Sequence, residues 1–279
     1  DETAATRGQL HQMKDQRGAA ETVCDWSEEA RPPEAAYALI ARAFMEFRTA
    51  RARPKSVIVP IAQLEGRAPD APSACTFAPN AIRTQNIFPL KKMLAEAARP
   101  LFIFGGGVRD DGWVEVVLSA TKAASFTTYA GRGLVKADMP LHFGATLARP
   151  FSTEVLAQAD LVVAIGTELS EGDLWRAQLG HTCKLVRVDT DPKVLADRRQ
   201  ADVSYHYDGD FFLEDLHALE IGRASSEWNE DHVAETRARW RAEVAAERPG
   251  IVPVCDALRD AVPPGTMIYS DMTQLAYTA

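Results

Sequence analysis

The sequence holds four cysteines, Cys24, Cys75, Cys183 and Cys255, and no two of them form a CxxC pair. That spacing excludes a zinc knuckle and suggests no disulfide framework, so a reduced, cytoplasmic setting is the expectation. Long apolar runs are missing as well: none approaches the ~20 residues that a membrane-crossing helix needs. Basic residues are in deficit, with a formal net charge of -8 and a pI near 5.3. This balance opposes nonspecific attraction to nucleic acid or an anionic membrane, so neither is expected as a partner. None of the six histidines stands in HxxxH or HExxH spacing, and no serine lies in GxSxG. Zincin-type metal sites and the nucleophile elbow are therefore not read here.

What remains is a chain of 279 residues, 46% hydrophobic and 25% charged, which can bury a sizeable core. Apolar residues Tyr37, Ile40, Ala41, Phe44 and Phe47 recur at helical spacing behind Pro32 and Pro33, which suit a helix entrance. The β-branched run KSVIVPI (55–61) reads as a strand, and the stretch rich in Ala, Pro and polar residues after it as irregular, with a linker over 66–84. A helix is predicted over 85–98 with Pro89 in its first turn, then the strand PLFIF (100–104) ending at Gly105-Gly106-Gly107. Trp113, Val116, Val117 and Ala120 follow the i, i+3, i+4, i+7 pattern of a helix covering a sheet.

The alternation continues through SFTTYA (125–130), a helix over 151–159, DLVVAIGT (160–167), KLVRVD (184–189) and VSYHY (203–207). Continuous apolar strands alternating with helices predict an α/β fold, a doubly wound parallel sheet in a Rossmann-like central domain over 85–222. Beyond it, Val233, Trp240 and Val244 mark a helix, VCDALRDAV (254–262) another, and TMIYSD (266–271) reads as a strand.

In such a sheet the ligand crevice lies at the strand C-termini, where Gly105, Gly106 and Gly107 stand. Gly105, Gly107 and Gly112 do not complete GxGxxG, and Asp110 and Asp111 would repel a phosphate while suiting the helix dipole. The residues alone leave a phosphate loop and a plain tight turn both open. Asp189 and Asp191 end a strand, where a carboxylate could accept a ribose hydroxyl, yet Asp-Pro equally favours a turn. Asp210 reads as a helix N-cap in preference to a contact with an adenine nucleotide.

The motifs LHQMKDQ (10–16), KSVIVPI, RPLFIFGGG, TTYAGRG (127–133), DMPLHFG (138–144), ADLVVAIGTELS (159–170), KLVRVDTDP and IYSDMTQ, in that order, resemble the thiamine diphosphate-dependent 2-oxo acid decarboxylases and acetohydroxyacid synthase-like enzymes. GTELSEGDLW (166–175) is similar to the branch that includes guanidino-oxopentanoate decarboxylase. The resemblance implies three α/β domains: residues 1–65 as the end of a pyrimidine-binding domain, 85–222 as the central domain and 228–279 as the start of a diphosphate-binding domain. It also implies a fragment of a longer enzyme, because the family's catalytic Glu would lie before Asp1 and its GDG motif, which holds the diphosphate and Mg2+, after Ala279. In the family the cofactor ring serves as electron sink for decarboxylation or carboligation of a 2-oxo acid.

The same resemblance implies a homodimer or homotetramer, inactivity of this stretch alone, and cofactor contact by Asp271, Thr273 and Gln274. Thr273 stands where the family has glycine, which disfavours a close backbone approach to phosphate and leaves its hydroxyl as the alternative donor. FAD or an adenine nucleotide would lie along Gly105, Gly106, Gly107 and Asp189; without the full fingerprint, the central domain is read as a spacer. The competing readings are a stand-alone nucleotide-binding module of sirtuin type, which should carry zinc CxxC pairs, and a regulatory domain.

Overall fold

The computed structural model describes residue 8 and residues 12–64, 66–72, 82–83, 86–109, 112–271 and 273–278. Its contacts divide into two compact units, residues 1–81 and 82–279. In the first unit the elements are α1 (Gln16–Glu21), β1 (Trp26–Glu29), α2 (Pro33–Thr49), β2 (Lys55–Ile58) and α3 (Ile61–Leu64). The last is a single turn at the start of the stretch read as irregular.

The strands β1 and β2 pair in parallel, Trp26 opposite Lys55. One carboxylate organises this unit. Glu46 on α2 accepts from the Trp26 indole at 2.8 Å and pairs with Lys55 at 2.8 Å and Arg42 at 2.7 Å. The Lys55 hydrogen bond holds the Glu46 carboxyl down to about 2 against the opposing effect of burial. Burial works against the charge on Lys55, but Asp25 and Glu46 outweigh it and raise its pKa.

The second unit runs α4 (Phe88–Glu96), β3 (Pro100–Phe104), α5 (Trp113–Thr121), β4 (Ala124–Thr127), α6 (Ser152–Gln158), β5 (Leu161–Ile165), α7 (Glu171–Leu174), β6 (Lys184–Asp189), α8 (Pro192–Leu195), β7 (Val203–His206), α9 (Gly209–Ala218), α10 (Glu230–Glu247), α11 (Ile251–Ala261) and α12 (Gln274–Thr278). Its five strands lie in the order β4-β3-β5-β6-β7, every pairing parallel. The chain steps from β3 outward to β4 and then crosses back to β5, which makes the β3–β5 boundary the topological switch point of a doubly wound sheet.

Alternation along the strands divides the core. Phe102, Phe104, Val163, Ile165, Val186 and Val188 face α4, α5 and α9 on one side. Leu101, Ile103, Val162, Ala164 and Leu185 face α6 and α10 on the other. This is why β3 and β5 read as unbroken apolar runs: both faces are covered. Although α10 is charged along most of its length, it contributes Val233 and Trp240 to the core, with Trp240 stacked 6.1 Å from Phe126. The indole of Trp228 donates to the Pro100 carbonyl at 2.7 Å and fixes the approach to α10.

Two expectations are corrected. Residues 266–271 form no strand; Met267, Ile268 and Tyr269 are 74%, 51% and 90% exposed. A strand exists through pairing, and these residues join no ladder among the described residues. The cap of α9 is Asp208, whose side chain accepts from the Asp210 and Phe211 amides. Asp210 instead receives the Arg109 amide and Nε, both at 2.8 Å.

His142 is buried beside Ser125, Nδ1 to Oγ 2.9 Å. Burial, aided by the charge of Arg237, lowers its pKa from 6.5 to about 4. As pH falls through that interval the unfolded chain takes up a proton that the folded chain refuses, so stability is full above 6.5 and declines toward about 4. Urea unfolding of the second unit should reveal this decline, and His142→Gln should flatten it; an unchanged slope in the variant would exclude His142 as its source.

Candidate functional site

The strand ends at the switch point are held together by backbone. The Gly105 amide donates to Ile165 O at 3.0 Å and the Gly107 amide to Gly166 O at 2.9 Å. A Cβ on Gly105 would stand 2.3 Å from Gly166 O, and one on Gly107 2.8 Å from Gly166 Cα. What lies against the glycine loop is therefore the turn after β5, and the glycines permit main chain to touch main chain. A Cβ on Gly106 would stand 3.0 Å from the Cβ of Ala130. Asp110 and Asp111 lie outside the described residues.

Asp189 ends β6, is 3% exposed, and accepts the Asp191 amide through Oδ1 at 2.9 Å. Asp191 in turn caps α8 by accepting the Lys193 amide. These interactions favour the turn reading of the Asp-Pro sequence. The Arg109 guanidinium spans Asp208 at 3.0 Å and Asp210 at 2.8 Å, closing the loop after β3 onto the start of α9.

Arg187 escaped the sequence reading. It is 1% exposed in the middle of the sheet, pairs with Asp197 at 2.7 Å and donates to the Thr167, Glu168 and Arg199 carbonyls. A buried guanidinium is sustained only when such acceptors surround it. Its sequence signal was a charge set among the apolar residues Leu185, Val186 and Val188 of β6.

Asp271, Thr273 and Gln274 are exposed, with the Thr273 amide on Asp271 O at 2.7 Å, and Gln274 opens the one-turn α12. They stand at the other end of the chain from the glycine loop in sequence. No group of three His, Cys, Asp or Glu able to hold a metal occurs among the described residues. These residues do not enclose a thiamine diphosphate and its metal ion: three exposed side chains on a turn supply no cradle, so no chemical step is derived through that group.

The glycine packing has a direct consequence for stability. Gly105→Ala should cost about 3 kcal/mol or more, because neither the Gly166 carbonyl nor its neighbour can yield without breaking β3–β5 pairing. Gly222→Ala, where a Cβ meets nothing within 4 Å, should stay within about 0.5 kcal/mol. Urea midpoints of the two variants check this; equal midpoints would contradict the packing.

Residues 89–216 match the sequence profile of the thiamine pyrophosphate enzyme central domain. A probable 2-ketoarginine decarboxylase of Pseudomonas aeruginosa is 35% identical over 285 residues, an alignment covering 97% of this chain and 49% of that protein. Pyruvate oxidase of Lactiplantibacillus plantarum is 30% identical over 165 residues, covering 58% and 27% of the two chains. The chain thus spans about half, or less, of the length of these relatives. Among solved structures, a thiamine diphosphate-dependent 4-hydroxybenzoylformate decarboxylase of Rhodococcus jostii superposes with a TM-score of 0.64 at 17% identity, over 77% of this chain and 43% of the other. That likeness supports the fold. The central domain built on the β3–β5 glycine junction belongs to the thiamine pyrophosphate enzyme family.

Proposed function

We propose that this chain is part of a thiamine diphosphate- and Mg2+-dependent enzyme that decarboxylates a 2-oxo acid of the 2-ketoarginine type. The observation that carries this reading is the continuity of the 35% identity across 97% of the chain, which includes both segments flanking the central domain. The active protein is a cytoplasmic homodimer or homotetramer, and this stretch alone is inert. Asp271, Thr273 and Gln274 contribute one edge of the diphosphate environment, completed by residues that this sequence does not contain. A sirtuin-like module is disfavoured by the absence of CxxC pairs.

Within that enzyme the central domain is a spacer. The Gly105 and Gly107 amides are committed to Ile165 and Gly166, so they do not offer donors to a pyrophosphate. FAD or an adenine nucleotide should leave the melting temperature of this chain unchanged. A rise that grows with the logarithm of ligand concentration would contradict the spacer reading and favour an adenine ligand along Gly106 and Asp189.

The function is tested by expressing the parent reading frame with thiamine diphosphate and Mg2+ and measuring carbon dioxide release. kcat/KM should favour 5-guanidino-2-oxopentanoate over pyruvate by roughly tenfold or more. The isolated 279-residue chain should release none. Equal use of pyruvate would overturn the substrate assignment, and turnover by the isolated chain would overturn its inertness.

A further inference from the structure

Away from the glycine junction, the second unit contains a cavity of about 420 Å3 bounded by the turns after β4 and α7, the segment entering α6, and the ends of α10 and α12. One wall is aromatic. Tyr277 meets Tyr129 edge-on at 5.3 Å and Trp175 at 5.2 Å. Trp175 occupies the left-handed region, φ 48°, as the residue ending α7, a position where glycine carries no Cβ penalty. That backbone costs on the order of 1 kcal/mol, and it places a 53%-exposed indole at the cavity.

The lining also carries cations. Arg149, Arg176 and Arg248 all border the cavity, with Glu247 the one carboxylate among the lining residues. Glu247 takes Nη2 of Arg149 at 2.6 Å, while Nε of the same guanidinium is buried and has no hydrogen-bond partner. Arg176 donates to the Leu147, Leu174, Gln178 and Leu179 carbonyls, so its charge is anchored without a counter-anion, and burial lowers its pKa. Arg248 lies near enough to act electrostatically on the Tyr129 hydroxyl and forms no ion pair among the described residues. A buried guanidinium donor left unsatisfied is costly, and three positive charges facing one carboxylate favour an anion.

We propose that this cavity binds an amphipathic organic carboxylate, its apolar or aromatic body against Trp175, Tyr129 and Tyr277 and its carboxylate received by Arg149 and Arg248. Aromatic walls with a few convergent polar groups are the usual composition of a small-molecule site. Glu247 already holds Nη2 of Arg149 and Nε is buried, so the ligand carboxylate meets Arg248 first and reaches the Arg149 fork by displacing Glu247. The site requires neither thiamine diphosphate nor a metal, so it stands or falls separately from the decarboxylase reading.

The test is calorimetric titration of the full chain with three probes. 3-Phenylpropionate carries both body and charge, 3-phenyl-1-propanol the body alone, and inorganic phosphate the charge alone. The acid should bind at least about tenfold more tightly than either of the others, the equivalent of one charge-assisted hydrogen bond. Arg248→Gln should weaken the acid by about tenfold, and Val244→Trp, which fills the cavity while retaining every charge, should abolish binding with the melting profile preserved. No binding of the acid, equal binding of the alcohol, tighter binding of phosphate, or binding indifferent to both variants would overturn the proposal.

Discussion

Main chain packed on main chain, where the loop leaving β3 meets the turn leaving β5, is the constraint on which the second unit depends. Two backbone hydrogen bonds carry the parallel ladder past the formal strand ends, Gly105 to Ile165 and Gly107 to Gly166. A single methyl group at Gly105, Gly107 or Gly166 would meet backbone atoms at 2.3 to 2.8 Å. Gly131 continues the same packing on the β4 side, where a Cβ would lie 2.4 Å from Phe104 O. In a doubly wound sheet this boundary is where a crevice opens between diverging connections. Here the two connections approach until the Gly105 and Gly107 amides are consumed.

The remainder of the domain reinforces that closure from both faces. Phe102 and Phe104 pack toward α4, α5 and α9, while Leu101 and Ile103 pack toward α6 and α10. On the far side of the junction Arg187 ties the Thr167–Glu168 backbone to Asp197 and Arg199. On the near side Arg109 ties the glycine loop to Asp208 and Asp210. At Arg187, removing one partner strands a buried charge, which costs more than the pair contributes by forming. The turn after β5 then leads through the Ser170–Asp173 capping box to Trp175 and the arginine-lined cavity. A rigid strand end thereby positions a side chain at a separate site.

Much of this was legible in the sequence because it is local or periodic. The apolar runs of β3, β5 and β6, the helical spacing of Trp113, Val117 and Ala120, and the entrance prolines of α2 and α4 need only nearest-neighbour reasoning. The position of the glycine loop at the crevice followed from strand order. Its partner did not, since Gly166 lies on another strand and a glycine reads the same whether it admits a phosphate or a carbonyl. Asp208 and Asp210 are two residues apart, chemically alike and both paired with Arg109; which of them caps α9 depends on backbone geometry that spacing does not show. TMIYSD has strand composition, but composition supplies no neighbour to pair with. Arg187 is supported largely by carbonyls, and carbonyls leave no mark in a sequence.

The most direct test of the central claim is amide hydrogen exchange resolved at Gly105 and Gly107. If their N–H groups are bonded to Ile165 and Gly166, both amides should be protected to the level of the β5 strand interior, and adding an adenine nucleotide should leave that protection unchanged. Exchange as fast as an exposed loop would mean that the two strand ends stand apart, leaving these amides free to receive a phosphate.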